Sequence, residues 1–298
     1  MHPALAVAIA AIVLAVPAHA QRVAPGVTLV SGAVTGFAQL DTGLDRGGDV
    51  EVTGAIASVE AYRQFDARFG AGLAVRYDYE DWSFAGANAF GGAPWGTLHR
   101  PSLALPLVWT PMTDVAVGVT PTLQWSFERG ASSSDALIAG ALLSATRTFS
   151  RDLTLGLGVG VFDDLEETRA FPLVVVNWRI DDRWRLGNPF RAGPAGGAGL
   201  ELAYAVNDAW EVAAGGTWRS ARFRLDRDGI APGGIGESRS VPLFVRASWQ
   251  ASRDVRLDVH AGAAVGGKLI LMDAEGRELV EEDVDTAPIL GITLRTRF

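Results

Sequence analysis

The chain has 298 residues, a formal net charge of −8 from 34 acidic and 26 basic residues, and no cysteine. Without cysteine there is no disulfide framework, thiolate zinc site, cysteine nucleophile or lipidated N-terminal cysteine, and an acidic chain of this kind is a poor nucleic-acid binder. Its 35 glycines, 48% hydrophobic residues and mean hydropathy of +0.18 are typical of neither a helical membrane protein nor a disordered one. They fit many strands with small residues on one face.

The first twenty residues have the pattern of a secretory signal peptide. Residues 4–16 are an apolar run of suitable length, followed by Pro17 and the small-residue site Ala18-His19-Ala20. A helical membrane anchor is the alternative, but the run is shorter than the roughly 20 residues that a spanning helix needs. We therefore predict export, cleavage after residue 20, and a single domain over residues 21–298.

Period-2 alternation recurs along the rest of the chain and predicts β-strands. Residues 115–128, 153–161 and 255–271 are clear examples, each with one apolar face and one small or polar face. Each stretch is long enough to cross a bilayer as a tilted strand, which needs about 9–11 residues. The period therefore predicts strands that span a membrane.

The links between these stretches are alternately short and long, as in a barrel with one plain rim and one elaborate rim. The fold class that they predict is all-β, a closed antiparallel transmembrane β-barrel of about fourteen strands. Twelve strands is the alternative, because the first hairpin and residues 184–186 are weak. The short turns, which would face the periplasm, fall at residues 65–66, 112–114, 150–152, 181–183, 207–208 and 252–254. The longer links, which would face outward, lie near residues 41–49, 85–98, 129–135, 163–169, 185–197, 227–238 and 273–284.

Aromatic residues cluster near the short turns. A ring of aromatic side chains at the membrane interface is typical of transmembrane barrels, and the alternative is that strands simply favour aromatics. The predicted girdle comprises Phe65, Trp109, Phe149, Trp178, Tyr204, Trp210 and Trp249.

The last nine residues alternate strictly and end on an aromatic. Leu290, Ile292, Leu294, Thr296 and Phe298 share one face. A closed barrel needs its last strand to pair with its first. This ending resembles the C-terminal signature of bacterial outer-membrane β-barrel proteins, in which the barrel-assembly machinery reads a terminal Phe behind alternating apolar residues. The resemblance implies that machinery as a partner.

The polar face of the strands is predicted to line a wet lumen. A soluble barrel with an apolar core is the competing structure, since parity alone does not say which face meets lipid. It is disfavoured because so large a barrel encloses more volume than side chains fill, and its outer face would be Gly, Ala and Thr. The candidate lumen-lining residues, of both signs in roughly equal number, are Arg76, Asp78, Glu80, Glu201, Glu211, Arg246, Arg256, Asp258, His260, Lys268, Arg295 and Arg297.

From about Gly193 to Phe298 the sequence is similar to an uncharacterised family of proteobacterial outer-membrane barrels, known only as a domain of unknown function. The stretches that carry the resemblance are GLELAYAVNDAWEV, RFRLD, GIGESRSVP and the closing strand. The resemblance implies an outer-membrane barrel in contact with lipid and lipopolysaccharide, without implying an activity.

Candidate chemistry is sparse. His99 with Ser102 could serve a lipid-modifying enzyme, but neither His99 nor His260 lies in a motif of the barrel phospholipases or lipid A deacylases. The acidic loops 163–167 and 273–285 could bind Ca²⁺, but they lack EF-hand spacing and are better interpreted as solvated loops. We predict no cofactor and no metal.

The sequence favours a passive pore for small hydrophilic solutes with weak charge selectivity. The alternative is a non-conducting structural or surface-interaction barrel, and a lipid-modifying enzyme is a third, less favoured hypothesis. Arg256, Asp258, His260 and Lys268 form the densest inward cluster, which could set ion preference or could stiffen the barrel with salt bridges. The sequence does not decide whether residues 85–98 fold inward as a plug, nor the oligomeric state.

Overall fold

The computed structural model describes residues 24–190 and 192–298, so the predicted signal peptide lies outside the described residues. These residues form fourteen antiparallel barrel strands, four of them interrupted, and no helix among them is long and apolar enough to cross a membrane. The strands are β1 (Thr28–Gly43), β2 (Asp49–Gln64), β3 (Phe69–Ala85), β4 (Thr97–Ala104 and Leu107–Met112), β5 (Val115–Trp125 and Phe127–Glu128), β6 (Leu137–Ser150), β7 (Leu153–Asp163), β8 (Thr168–Arg179), β9 (Trp184–Gly187), β10 (Gly199–Ala205), β11 (Trp210–Thr217 and Arg219–Arg224), β12 (Ile235–Gln250), β13 (Val255–Met272) and β14 (Glu278–Val284 and Ala287–Arg297).

The barrel closes through its first and last strands. β14 pairs with β1 in a continuous antiparallel register from Ser31 opposite Arg297 to Gln39 opposite Ile289. The predicted fold class and the count of fourteen are thereby confirmed, and all six predicted short turns lie between strands. We call the rim that carries these turns the turn end and the opposite rim the loop end.

Side-chain exposure alternates along the strands. In β14, Leu290, Ile292 and Leu294 are about half exposed on the outer surface, whereas Thr293 between them is fully buried. A one-residue slip of register would put the charged face outside, so the alternation fixes which face is the lumen. Six of the seven predicted girdle rings are exposed near the turn end: Phe65, Trp109, Phe149, Trp178, Trp210 and Trp249.

At the loop end the barrel wall divides. The top of β5 leaves β6 and meets the top of β11, which runs parallel to it, where the Arg224 N–H donates to the Ser126 carbonyl at 2.9 Å. On the other side the top of β14 meets β1 through the bridge of Leu44 with Val284. The described residues therefore form a smaller circuit of nine strands at the loop end, made of β1–β5 and β11–β14.

Two apolar cores fill the loop end. The inner core lies within the nine-strand circuit, and it includes two residues of the β3–β4 link, so that link does fold inward. The flanking core lies between the circuit and the inner face of β6–β8. Members of the inner core are Leu44, Val50, Val52, Trp82, Phe90, Trp95, Leu98, Phe223, Leu225, Ala231, Leu269 and Leu271. Members of the flanking core are Ile138, Leu142, Phe162, Leu165, Phe171, Leu173, Ile235, Ile270 and Met272.

β9 and β10 are too short to reach the loop end, which leaves a gap in the wall. Among the described strands, β8 pairs with β9 only over Asn177–Arg179. Above that point Asn188 takes the place of a strand, accepting from the Val176 N–H and donating to the Val174 carbonyl, both at 3.0 Å. Pro172 lies farther along the same edge, where its missing N–H forfeits no ladder hydrogen bond.

A bulge in β13 moves one predicted lumen residue to the other face. Gly266 has a φ of +59°, and opposite the step from Val241 to Arg239 the register jumps from Val265 to Lys268. The extra residue reverses the parity of everything beyond it. Lys268 therefore lies on the opposite face of β13 from Asp258 and pairs there with Glu281 and Asp283 of β14.

Candidate functional site

The link between β9 and β10 lies inside the barrel, which corrects the prediction that it faces outward. We call the described residues of this link, 188–190 and 192–198, the inner loop. The hydroxyl of Thr35 donates to the Ala192 carbonyl, and that of Thr217 to the Ala195 carbonyl. Small residues let the loop pass close to the wall: a Cβ on Gly291 would approach the Pro194 ring to 2.7 Å. The sequence pattern missed this placement because Gly, Pro and Ala in a link are equally typical of an exposed loop.

The turn-side cluster lies on β9–β14 below the inner loop and consists of Arg185, Glu201, Glu211, Arg246, Ser248, Arg256, Asp258 and Arg295. Arg246 Nη2 lies 2.7 Å from a Glu201 oxygen and 3.0 Å from a Glu211 oxygen. Arg295 Nη2 lies 2.7 Å from Asp258. Its guanidinium also faces the Phe190 ring of the inner loop at 4.5 Å. Four arginines thus face three carboxylates.

The central cluster lies on β3, β4 and β11, between the inner loop and the inner core. Arg76 Nε pairs with Asp78 at 2.6 Å. Glu80 is almost fully buried and bonds both Arg100 and Arg219, and its other oxygen accepts from the Trp82 indole at 3.1 Å. Here three arginines face two carboxylates.

The loop-side cluster joins the β7–β8 link to β8, β11 and β12. Glu237 is fully buried and accepts from Arg169 at 2.9 and 3.0 Å and from Arg239 at 2.6 and 2.9 Å. Its four arginines and four carboxylates balance; the members are Asp164, Glu166, Glu167, Arg169, Arg222, Arg224, Glu237 and Arg239. The acidic run at 163–167, expected to be solvated, is therefore largely a set of partners for buried arginines.

Asp164 in the β7–β8 link makes stability depend on pH. Burial raises its pKa to about 6, against the pull of Arg169 and Arg222. Because the unfolded value is near 3.9, the folded state binds the proton more tightly, so this group's contribution to stability falls as pH rises from about 4 to 6. We expect D164N to exceed the wild type at pH 8 by up to about 3 kcal/mol and the two to converge below pH 4.

Urea unfolding of the refolded barrel at a series of pH values measures this difference. A D164N protein less stable than the wild type at pH 8 would show that the pair with Arg169, 3.6 Å away, outweighs the cost of burying the charge.

The structure separates the other candidate chemical groups. His99 lies on the outer surface against Tyr77, whose hydroxyl is 2.7 Å from Nδ1, whereas Ser102 pairs in register with Arg76 on the lumen face. His260 faces the lumen, and its buried Nδ1 has no hydrogen-bond partner in the described part of the chain. No group of three or more His, Asp or Glu side chains able to hold a metal occurs within residues 24–190 and 192–298.

Most of the predicted lumen residues come together in two clusters. Arg76, Asp78 and Glu80 belong to the central cluster, and Glu201, Glu211, Arg246, Arg256, Asp258 and Arg295 to the turn-side cluster, with His260 beside it. Lys268 lies on the opposite face, and Arg297 is exposed at the turn end. Arg100 and Arg219 were not predicted; the register of Arg100 opposite Asp78 was the signal that could have found the first.

A closed antiparallel barrel with an apolar outer face and a charged inner face defines the class, an outer-membrane-type β-barrel. Within that class the chain belongs to the family described as a domain of unknown function, DUF6268, whose profile matches residues 109–285. The match confirms the resemblance to an uncharacterised barrel family over residues 193–285 and extends it toward the N-terminus, whereas residues 286–298 of the closing strand lie outside it.

Two outer-membrane proteins are among the solved structures that align with this chain. The COG4313 outer membrane channel from Pseudomonas putida F1 is 10% identical, and the alignment covers 93% of this chain and 97% of that one with a TM-score of 0.50. The P. putida toluene transporter TodX is 12% identical, with 92% and 91% covered and a TM-score of 0.41. At 10% identity the likeness to the COG4313 channel is one of fold alone. No curated protein matches the chain.

Proposed function

We propose that the protein is a channel for small hydrophilic solutes in the bacterial outer membrane, closed at rest by the inner loop. The observation that carries the proposal is the position of this loop, which crosses a lumen lined on the turn side by charged groups. The short turns would face the periplasm, after export through the cleaved signal peptide and assembly through the C-terminal strand.

The inner loop is the part of the closure that can move. Asn188 fixes the start of the loop to β8, and the Ala198 carbonyl at its end accepts from the Trp218 N–H. Between these ends the loop is held by two threonine hydroxyls, the contact of Phe190 with Arg295, and a small apolar contact of Ala192 with Ala33 and Ile56. The loop end is instead closed by two apolar cores and a buried ionic cluster. The inner loop also lies at the gap in the wall above the short strands β9 and β10. Its displacement would therefore open the wall at that gap.

The charge distribution supports weak selectivity. The turn-side cluster holds four arginines and three carboxylates, and most of these charges are paired within 3.5 Å. A ring of one sign would give strong selectivity, whereas paired charges of both signs largely cancel at a distance. Salt gradients across a planar bilayer would measure the ratio of cation to anion permeability.

A disulfide between the loop and the wall tests the gate. We expect T35C/A192C, oxidised, to lose the conductance steps of the wild type and to regain them on reduction, because the loop is then held against β1. The native chain has no cysteine, so the bond is unique. The single variants T35C and A192C, treated alike, are the controls.

Equal conductance of the oxidised and reduced double variant would show that the inner loop is not the gate. If the wild type showed no conductance steps, with folding confirmed by heat-modifiable migration, the proposal that the protein is a channel would be rejected.

The second candidate function is a non-conducting structural or surface-interaction barrel. The two apolar cores favour it, because they fill the loop end with side chains such as Trp95 and Phe223 that are at most 2% exposed. An enzyme is the least supported function, since His99 and Ser102 lie on opposite faces of β4.

A further inference from the structure

The turn-side cluster presents arginines to the lumen and keeps its carboxylates behind them. The side chains of Arg185, Arg256 and Arg295 are 31%, 21% and 25% exposed. None of the three carboxylates is more than 17% exposed, and Asp258 is not exposed at all. A solute that enters the lumen from the turn end therefore meets guanidinium groups before it meets acids.

The exposed arginines are neighbours with donors to spare. Arg185 and Arg256 both bond Glu211 through Nη2, and Arg256 and Arg295 both pair with Asp258. Within the described residues, the Nη1 atom of each of the three arginines has no hydrogen-bond partner. These Nη1 atoms are accessible to water, so an anion would take the place of that water and accept their hydrogen bonds.

The loop-side cluster shows that exposed arginines are not a general property of this barrel. Its most exposed charges are carboxylates, since Glu166 and Glu167 are 48% and 53% exposed, whereas Arg222 and Arg224 are 2% and 8% exposed. Its charges also balance, whereas the turn-side cluster has one positive charge in excess. The excess charge and its exposure to the lumen are therefore specific to the turn-side cluster.

The lumen beside the turn-side cluster has room for a solute. On β6 and β7, across the lumen, no charged side chain lies on the inner face. The small residues there are all partly exposed, so water fills the space between the two walls: Ser144, Thr146, Thr154, Gly156 and Gly158. A molecule that lies against the arginines therefore meets no competing charge on the opposite wall.

We propose that the turn-side cluster binds a small monocarboxylate, with its carboxylate on Arg185 and Arg256 and with Arg295 beside them. One negative charge neutralises the excess, and hydrogen bonds from arginine to carboxylate are of the strong, charge-assisted kind. The paired charges still cancel at a distance, so the site is compatible with weak selectivity. The inference rests on the proposed function for the role of this anion as a transported solute, whereas binding itself requires only the folded barrel.

Titration calorimetry of the refolded protein with propionate, at fixed ionic strength, tests the site. We expect saturable binding of propionate and none of propionamide, its uncharged counterpart. In R185Q the Kd should rise about tenfold, because a charge-assisted hydrogen bond is lost. R147Q is the matched control: Arg147 is 62% exposed and pairs with Asp114 at the turn end, so its replacement should leave the Kd unchanged.

The proposal is overturned by any of four results: no saturable binding by the wild type, equal binding of propionamide, the same Kd in R185Q as in the wild type, or tighter binding of chloride or inorganic phosphate than of propionate. If R185Q does not fold, R185K replaces it. This variant keeps the charge but loses the planar set of donors, so its Kd should rise several-fold. Binding without conductance would reject only the channel, and conductance without binding would reject only this site.

Discussion

Replacing Glu237 with glutamine is expected to lower the free energy of unfolding by about 3–5 kcal/mol, the usual cost of removing one partner from a buried ionic group. Glu237 is fully buried and accepts five hydrogen bonds, from Arg169, Arg239 and Ser220. With Gln in its place, Arg169 and Arg239 lose the charge that compensates their own. Urea unfolding of E237Q in detergent or vesicles measures the loss.

The matched control is E275Q. Glu275 pairs with Arg277 at 3.0 Å, but both side chains are largely exposed in the β13–β14 link. Exposed pairs of this kind contribute little to stability because water screens them. If E237Q and E275Q unfolded at the same urea concentration, the loop-side cluster would not be what fastens β12 to β8.

Replacing Phe223 with alanine is expected to cost about 3–5 kcal/mol and to loosen the loop end. Phe223 is fully buried in the inner core, its ring centre 5.0 Å from that of Trp95. Its removal leaves a cavity between the top of β11 and the β3–β4 link. We expect F223A to unfold at lower urea and, in a planar bilayer, to open more often than the wild type.

F149A is the control for this variant. Phe149 is 59% exposed near the turn end, so its truncation should change the stability in detergent by about 1 kcal/mol or less. If F223A were as stable as F149A and opened no more often in the bilayer, the inner core would not be what holds the loop end closed.

The strands were predictable because a membrane barrel imposes one rule on every residue, apolar outside and polar or small inside. Leu290, Ile292 and Leu294 obey it, as do Arg246 and Asp258. Turn residues such as Asp181 marked where one strand ends and the next begins. This local period sufficed for the strand count, the closure of β14 on β1 and most of the turn-side cluster.

What happens at the loop end was not predictable from the period. Ile270 and Leu271 are neighbours on opposite faces of β13, yet both are buried, because the sheet there has an apolar core on each side. A single extra residue near Gly266 moves Lys268 out of the predicted set. Arg222 bonds Asp164 and Glu167, which lie more than fifty residues away in the sequence, so no short pattern links them.

The division of the wall at the loop end also determines the width of the barrel along its axis. Barrel diameter grows with strand number, so the closed circuit of nine strands at the loop end is narrower than the barrel of fourteen strands at the turn end, and β6–β8 stand beside this circuit across the flanking core. Arg185, Arg256 and Arg295 are between one fifth and one third exposed, whereas Glu80 deeper inside is 2% exposed. A bulky water-soluble reagent should therefore reach the interior only through the turn end. Added on the side of the membrane that the loop end faces, the same reagent should not label the lumen residues.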